Sequence, residues 1–215
     1  MSPPERPAYF VSFEGIDGCG KSTLLAQMSG WLEAAGIPHL ESREPGGTLL
    51  GEATRSMVLD PSFSGMHPWT EALIYAAGRA QHVFEVILPA LGQGRWVLSD
   101  RFEDATLAYQ GYGRGLDPER LRDIHRWSTG DLWPDVTILL DCEIATARER
   151  RGLRSGLPDR VEQQDTAFHE RVRTGYLKLA AAEPDRFLVL DANRPLGEVT
   201  ADLQNLLRRR LALNF

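Results

Sequence analysis

Cysteine and long apolar runs are scarce in this 215-residue sequence. Its two cysteines, Cys19 and Cys142, are too few for the disulfide framework of a small secreted domain. No apolar stretch approaches the roughly 20 residues that a membrane-spanning helix needs, and the amino end lacks the pattern of a secretory signal. We therefore expect a reducing, cytoplasmic setting and no membrane partner.

The sequence also lacks an excess of positive charge. It has 30 acidic and 24 basic residues, for a formal net charge of -6. Such a surface repels the backbone of a nucleic acid, so we expect no nucleic-acid partner, and any phosphate site must be a local basic pocket. Lysine is rare as well: only Lys21 and Lys178 occur, and Lys21 lies in a glycine-rich loop.

Short apolar runs alternate with helical patterns along the chain. Strands are predicted at 9–13, 39–42, 96–99, 136–140 and 187–190. Helices are predicted at 22–35, 49–59, 70–91, 118–128, 144–151, 166–182 and 196–213. This alternation predicts an α/β fold in a single domain, 1–215, with a mostly parallel sheet, helices on both faces and ligands at the carboxyl ends of the strands. The proline-rich residues 1–8 are expected to form a loose leader.

The stretch GIDGCGKS, residues 15–22, satisfies the pattern G-x-x-x-x-G-K-[ST] and stands between a predicted strand and a predicted helix. Lys21 can reach the outer phosphates of a nucleotide, and the Ser22 hydroxyl can ligate Mg²⁺. Asp100 comes directly after the predicted strand 96–99, where a P-loop protein places its second Mg²⁺-organising acid. Cys19 is interpreted as a small residue that fills the loop. The residues expected to surround the phosphates of a nucleotide are Gly15, Ile16, Asp17, Gly18, Cys19, Gly20, Lys21, Ser22 and Thr23.

Several further motifs follow in order: REPGGT at 43–48, DR at 100–101, AYQGYGRG at 108–115, DRVEQ at 159–163 and GYLKLA at 175–180. Together with the glycine loop, this series resembles the thymidylate kinase family over about residues 9–182. The resemblance implies a P-loop nucleoside monophosphate kinase fold with a five-stranded parallel sheet and a small lid. It also implies Mg²⁺-dependent transfer of the γ-phosphoryl group of ATP to dTMP, and a homodimer.

The resemblance also implies an acceptor site. Arg43 and Arg101 follow different strands and can converge on one phosphate, unless they form surface ion pairs. Tyr75 and Arg79 lie one helical turn apart, where they can stack on a thymine and donate to its carbonyl oxygen, although Tyr75 alone would suit a core position. Such a donor rejects cytosine, whereas dUMP should react slowly. The residues expected at dTMP are Arg43, Pro45, Tyr75, Arg79, Arg101, Thr106, Tyr109 and Gln110.

The expected catalytic charges come from the glycine loop and a basic segment at 148–162. In the family, the loop acid, here Asp17, positions the acceptor. One branch of the family has an arginine where this chain has Gly18, and the other, bacterial-type branch has catalytic arginines in its lid; this chain resembles the latter. A solvated charged turn is the alternative for 148–162. The residues expected to act in catalysis are Lys21, Asp17, Arg101, Arg148, Arg154 and Arg160.

Two other functions remain open from the sequence. One is a kinase for a different nucleoside monophosphate or for a deoxynucleoside, against which Tyr75, Arg79 and the YQG stretch argue. The other is a P-loop switch or motor that hydrolyses nucleotide to drive partner binding. The chain has no Asn-Lys-x-Asp guanine motif. A dependence of nucleotide turnover on an added nucleoside monophosphate would separate a kinase from a switch.

Overall fold

The computed structural model describes residues 8–152 and 158–211. Within them, five strands form one parallel sheet in the order β2-β3-β1-β4-β5. The strands are β1 (Phe10–Glu14), β2 (His39–Arg43), β3 (Trp96–Asp100), β4 (Val136–Asp141) and β5 (Phe187–Asp191). The predicted sheet is thereby confirmed. Most of the predicted leader and part of the predicted lid lie outside the described residues, and the single-domain boundary stays a prediction.

Each strand ends one residue later than the apolar pattern predicts. The additional residues are charged: Glu14, Arg43, Asp100, Asp141 and Asp191. All five additions continue the ladders with neighbouring strands: Glu14 pairs with Leu139, Arg43 with Asp100 and Asp141 with Asp191. The apolar pattern stops before the charged residue, whereas the backbone pairing continues through it. The rim therefore presents charged side chains on the carboxyl edge of the sheet.

Helices cover the sheet, and the hydrophobic core lies between them and the buried central strands β1, β3 and β4. The helices of the described residues are α1 (Lys21–Ala34), α2 (Leu49–Leu59), α3 (Pro68–His82), α4 (Leu88–Gly92), α5 (Glu103–Thr106), α6 (Pro118–Thr129), α7 (Ile144–Gly152), α8 (Thr166–Ala182) and α9 (Leu196–Leu211). Two π-helical segments, Val83–Ile87 and Leu107–Gly113, and a 3₁₀ turn, Pro61–Phe63, complete the description. None of these helices is long and apolar enough to cross a bilayer.

The helix predicted at 70–91 is interrupted. It forms as α3, the π-helical segment Val83–Ile87 and α4 in direct succession. Pro89 lies in the first turn of α4 and has no N–H to donate to the preceding turn, so the regular α-helical bonding changes just before it. The hydrophobic pattern does not predict this change, because a π-helical turn adds one residue without ending the helix.

Candidate active site

The glycine loop connects β1 to α1 and curls through three glycines with positive φ, Gly15, Gly18 and Gly20. Helix α1 begins at Lys21, whose ammonium group donates to the carbonyl oxygens of Gly15 at 3.1 Å and Ile16 at 3.3 Å. The first N–H groups of a helix have no partner within the helix and attract anions. The loop thus combines a lysine with a helix amino terminus, as a phosphate site requires.

The two predicted Mg²⁺ ligands meet at this loop. The Ser22 hydroxyl donates to Oδ2 of Asp100 at 2.8 Å, although the two residues lie 78 positions apart in the sequence. A hydroxyl and a carboxylate are hard oxygen ligands, which suit Mg²⁺, and phosphate oxygens and water usually complete its shell. The donor set therefore fits the ion.

Gly18 shows why the loop has no side chain at this position. Its φ is +92°, and a Cβ there would lie 2.2 Å from the carbonyl oxygen of Ala147 in α7. An arginine at this position would therefore collide with the helix that leads into the basic segment. Cys19 is buried, and burial raises the pKa of its thiol, which agrees with a packing role rather than a reactive one.

A cleft opens at the carboxyl ends of β1, β2 and β3, where parallel sheets bind ligands. Asp17 of the glycine loop lines it. Seven of the eight residues predicted at dTMP line it too: Pro45, Tyr75, Arg79, Arg101, Thr106, Tyr109 and Gln110. We call this the acceptor cleft.

Arg43 is the eighth predicted residue, and the structure does not bring it to the acceptor cleft. Its side chain is 56% exposed, and its Nη2 donates to both carboxylate oxygens of Glu52, at 3.0 and 3.1 Å. Arg55 lines the cleft instead, with its Nη1 bonded to the carbonyl oxygen of Pro45 at 2.9 Å. Sequence reasoning missed Arg55 because its position depends on α2 lying over the Pro45 turn, which no local pattern reveals.

Arg101 is held in an unusual conformation at the floor of the cleft. Its φ is +78°, a left-handed value that is rare outside glycine and that often marks functional positions. The guanidinium donates to Asp17 Oδ1 at 2.7 Å, to the Tyr109 hydroxyl at 3.1 Å and to the Tyr176 hydroxyl at 3.0 Å. Burial lowers the pKa of Arg101, but the Asp17 carboxylate outweighs it and raises that pKa well above its usual value. The charge of Arg101 is therefore permanent.

Glu14 supports Arg101 from behind. The Tyr176 hydroxyl donates to Glu14 Oε2 at 2.8 Å, and the backbone N–H of Phe102 donates to Oε1 at 2.7 Å. Burial and the nearby Asp104 carboxylate raise the pKa of Glu14 to about 8. Through these two contacts Glu14 holds Tyr176, which bonds the Arg101 side chain, and Phe102, which follows Arg101 in the chain. Tyr176 and Glu14 were not among the predicted site residues.

Asp17 connects the glycine loop to the acceptor cleft. Besides Arg101, it accepts a hydrogen bond from the Tyr109 hydroxyl at 3.3 Å and lies 3.8 Å from the Lys21 ammonium group. Burial raises the pKa of Asp17, but the charges of Arg101 and Lys21 lower it further, so the net pKa lies well below the usual range. This ionised carboxylate stands between the lysine expected on the donor side and the arginine expected on the acceptor side.

Arg79 is buried in the wall of the cleft, and most of its N–H groups have partners. Its Nε donates to Glu44 at 2.7 Å, its Nη1 to Glu103, and its Nη2 to the Thr106 hydroxyl at 2.8 Å and the Phe102 carbonyl at 3.3 Å. A guanidinium has five N–H groups. Among the described residues, one Nη1 hydrogen is left for a ligand. Tyr75, one turn before Arg79, also lines the cleft.

The predicted lid arginines have different positions. Arg148 is exposed in α7, and Arg154 lies outside the described residues. Arg160 is buried: its Nε donates to the Val58 carbonyl at 2.8 Å, and its Nη2 lies 2.5 Å from Glu71 Oε2. The other oxygen of Glu71 accepts from Gln110 Nε2 at 2.7 Å. Gln110 lines the acceptor cleft, so in this conformation Arg160 lies buried behind it through Glu71 rather than in an exposed basic turn.

The comparisons with known proteins agree with this arrangement. A family model described as thymidylate kinase matches residues 13–203. The chain belongs to the thymidylate kinase family. It is 51% identical over 194 residues to a thymidylate kinase of Deinococcus radiodurans, covering 90% of this chain and 93% of the relative. It is 48% identical over 202 residues to one of Leifsonia xyli subsp. xyli, covering 94% and 95%, and 48% identical over 185 residues to one of Pelotomaculum thermopropionicum, covering 86% of each.

Membership of the thymidylate kinase family confirms the predicted family, fold and enzyme class. A second cleft lies beside the glycine loop. Cys19, Gly20, Ala192 and Arg194 line it, and Arg150 of α7 closes one side by donating to the Ala192 carbonyl at 2.7 Å.

Proposed function

We propose that this chain transfers the γ-phosphoryl group of ATP to dTMP, with dTDP and ADP as products and no covalent intermediate. One observation carries the proposal: Asp17 belongs to the donor loop, lines the acceptor cleft, and contacts both Lys21 and Arg101. Donor and acceptor sites thus share one fixed charge. Phosphoryl transfer requires positioning and charge stabilisation more than covalent chemistry, and this arrangement supplies both.

On the donor side, the loop N–H groups and Lys21 bind the outer phosphates. Ser22 and Asp100 would hold Mg²⁺, which, when bound, neutralises phosphate charge. Lys21 would exchange its two backbone carbonyl partners for phosphate oxygens, which form stronger, charge-assisted bonds with an ammonium group. The second cleft would hold the adenine, with the segment 191–195 beside it.

On the acceptor side, Arg101 and Arg55 bind the phosphate of dTMP. Tyr75 stacks on the thymine, and Arg79 donates its remaining N–H to the O4 carbonyl oxygen of the base. Cytosine presents an amino group at that position, so two donors would face each other in a buried site, which rejects the wrong ligand strongly. Thr106, Tyr109 and Gln110 face the sugar and base from the helical segment after β3.

Arginines of the basic segment 148–162 would add positive charge around the phosphoryl group that is transferred. Arg148 and Arg154 are the candidates to approach the donor phosphates, and Arg160 shapes the acceptor wall through Glu71. Turnover measurements on Arg148→Ala, Arg154→Ala and Arg160→Ala test this proposal. Wild-type turnover in both the Arg154 and Arg160 variants would contradict it.

We also propose a homodimer in a cytoplasmic setting. The two cysteines are free and buried, as suits a reducing compartment. Large apolar side chains stand exposed on neighbouring helices, among them Met57 (51%) in α2, Leu73 (53%) in α3 and Phe84 (58%) in the π-helical segment that follows it. An exposed apolar surface of this kind is typical of a protein–protein contact, and a second copy of this chain is the proposed partner.

The decisive experiment for the reaction is ADP release against a panel of acceptors, namely dTMP, dUMP, dCMP, UMP and AMP. We expect dTMP to be the best substrate and dUMP to react slowly, since one methyl group contributes about 1–3 kcal/mol of discrimination. A preference for AMP or UMP would overturn the base-pocket assignment. ADP release that does not depend on any added nucleoside monophosphate would favour a nucleotide-hydrolysing switch instead.

A further inference from the structure

A buried chain of hydrogen bonds runs behind the acceptor cleft and ends on Arg79. The Ser42 hydroxyl lies 2.6 Å from His82 Nε2, and His82 Nδ1 lies 2.9 Å from Glu44 Oε1. The second oxygen of Glu44 accepts from Arg79 Nε at 2.7 Å. The three residues between Ser42 and the cleft are almost completely buried: the side chains of His82, Glu44 and Arg79 are 0%, 5% and 2% exposed.

The partners determine how the protons are arranged. A carboxylate paired with an arginine can only accept, so His82 carries its proton on Nδ1 and donates it to Glu44. Nε2 and the Ser42 hydroxyl share a hydrogen bond, and each oxygen of Glu44 receives one donor from α3.

The surroundings leave His82 little freedom. Gly47 has φ +78°, and a Cβ at this position would lie 2.8 Å from His82 Cδ2 and 2.8 Å from the Ser42 hydroxyl. The glycine turn after β2 therefore lies directly over the imidazole. His82 follows Arg79 by one turn of α3, so the same helix positions both donors to Glu44.

We propose that His82 is a positioning residue for base selection: backed by Ser42, it fixes the Glu44 carboxylate, which in turn fixes the Arg79 guanidinium with its remaining N–H toward the base. The proposal rests on the assignment of Arg79 to the thymine under the proposed function. Two of the three sides of this guanidinium meet carboxylates, Glu44 and Glu103. A histidine lies beside each carboxylate: His82 Nδ1 at 2.9 Å from Glu44 and His125 Nδ1 at 3.4 Å from Glu103, but within the described residues only the His82 contact is a hydrogen bond. Loss of the His82 donor would let Glu44 and Arg79 shift together.

The test uses a pair of amide substitutions that differ in where they place the donor. His82→Asn places its amide nitrogen near the position of Nδ1 and keeps a donor for Glu44, whereas His82→Gln places it near Nε2 and leaves Glu44 without one. For His82→Gln we expect the KM for dTMP to rise about tenfold and the ratio of kcat/KM for dTMP over dCMP to fall about tenfold, as loss of a hydrogen bond to a charged group allows. The KM for ATP should stay within about twofold, and His82→Asn should recover most of the loss.

The controls separate positioning from general structure. His39 of β2 forms a matched pair with the Ser29 hydroxyl of α1, at 2.7 Å, but has no carboxylate in its hydrogen-bonded pair. His39→Gln should therefore leave the ratio of kcat/KM for dTMP over dCMP unchanged. Ser42→Ala removes only the last hydroxyl, should shift the ratio in the same direction by about two- to threefold, and replaces His82→Gln as the test if that variant does not fold.

Arg79→Ala separates this inference from the proposed function. If Arg79→Ala leaves the dTMP to dCMP ratio unchanged, the assignment of Arg79 to the thymine is wrong. If Arg79→Ala lowers the ratio while folded His82→Gln does not, or if His82→Gln raises the KM values for ATP and dTMP equally, only the positioning role of His82 is wrong.

Discussion

Two arginines near the acceptor cleft have opposite surroundings, and their substitution tests the acceptor assignment. Arg55 lines the cleft and bonds a backbone carbonyl, whereas Arg43 points away and pairs with Glu52. We expect Arg55→Ala to raise the KM for dTMP at least tenfold, because a lost charge-assisted bond to phosphate costs about 1.5–3 kcal/mol. Arg43→Ala should change it less than threefold, since exposed ion pairs contribute little. Steady-state kinetics with varied dTMP measures both KM values. A larger increase for Arg43→Ala than for Arg55→Ala would show that Arg43, not Arg55, binds the phosphate.

The histidine that packs beneath the cleft gives a pH prediction. His125 is 1% exposed, and its Nε2 bonds the Leu132 carbonyl at 2.7 Å. Burial and the nearby Arg79 charge lower the pKa of His125 to about 4, so the folded state stays neutral while the unfolded state binds a proton below its pKa of about 6.5. The wild type should therefore lose up to about 3 kcal/mol of stability through this residue as the pH falls from about 6.5 to 4.

His125→Gln keeps an amide donor and cannot titrate, so its stability should decline less over that interval. Urea unfolding of both proteins at pH 7.5, 5.5 and 4.5 measures the difference, which should shrink steadily as the pH falls. The exposed His67 supplies the matched control, His67→Gln. A difference between wild type and His125→Gln that is constant with pH would show that His125 does not contribute in this way.

At the scale of secondary-structure elements, α7 and the glycine loop fit together through Gly18. Gly18→Ala places a Cβ against the Ala147 carbonyl at 2.2 Å, whereas Gly36→Ala, at a similar left-handed φ of +65°, meets nothing within 4 Å. Both variants carry the conformational cost of alanine at positive φ, so their difference isolates the clash. We expect Gly18→Ala to lose at least about 2 kcal/mol more stability than Gly36→Ala and to bind ATP far more weakly. Thermal unfolding and the KM for ATP test this, and equal effects of the two substitutions would contradict it.

The elements also show which patterns predict structure reliably. Five strands and most helices follow from hydrophobic period, because burial on a sheet or helix face imposes that period locally. The strand ends and the π-helical segment Val83–Ile87 do not follow from it, since pairing at a charged rim and bonding before Pro89 are matters of backbone hydrogen bonding. The residues that the strand pattern missed include Asp100 of β3, which accepts a hydrogen bond from Ser22.

At the scale of the whole molecule, the exposed apolar side chains give a prediction about assembly. Leu73, Phe84 and Leu88 are exposed apolar residues on α3, the π-helical segment and α4, which follow one another directly. We expect a dimer in sedimentation at micromolar protein, and we expect the double variant Leu73→Glu, Phe84→Glu to be a folded monomer because charge at an apolar contact opposes association. Leu177→Glu, at an apolar residue 39% exposed on α8, is the control and should remain dimeric. A monomeric wild type would disprove the dimer.

The sequence by itself determined the phosphate loop, the order of strands and helices, and the family, because a loop such as 15–22 is specified by neighbouring residues with their own backbone preferences. It also predicted Pro45, Tyr75, Arg79 and Arg101 as neighbours in one site, and these residues line one cleft. Only the tertiary structure decided the partner of each arginine. Arg43 meets Glu52, Arg160 meets Glu71 and Arg79 meets Glu44, and such pairings between distant elements depend on how helices and strands pack, since any arginine can pair with any carboxylate.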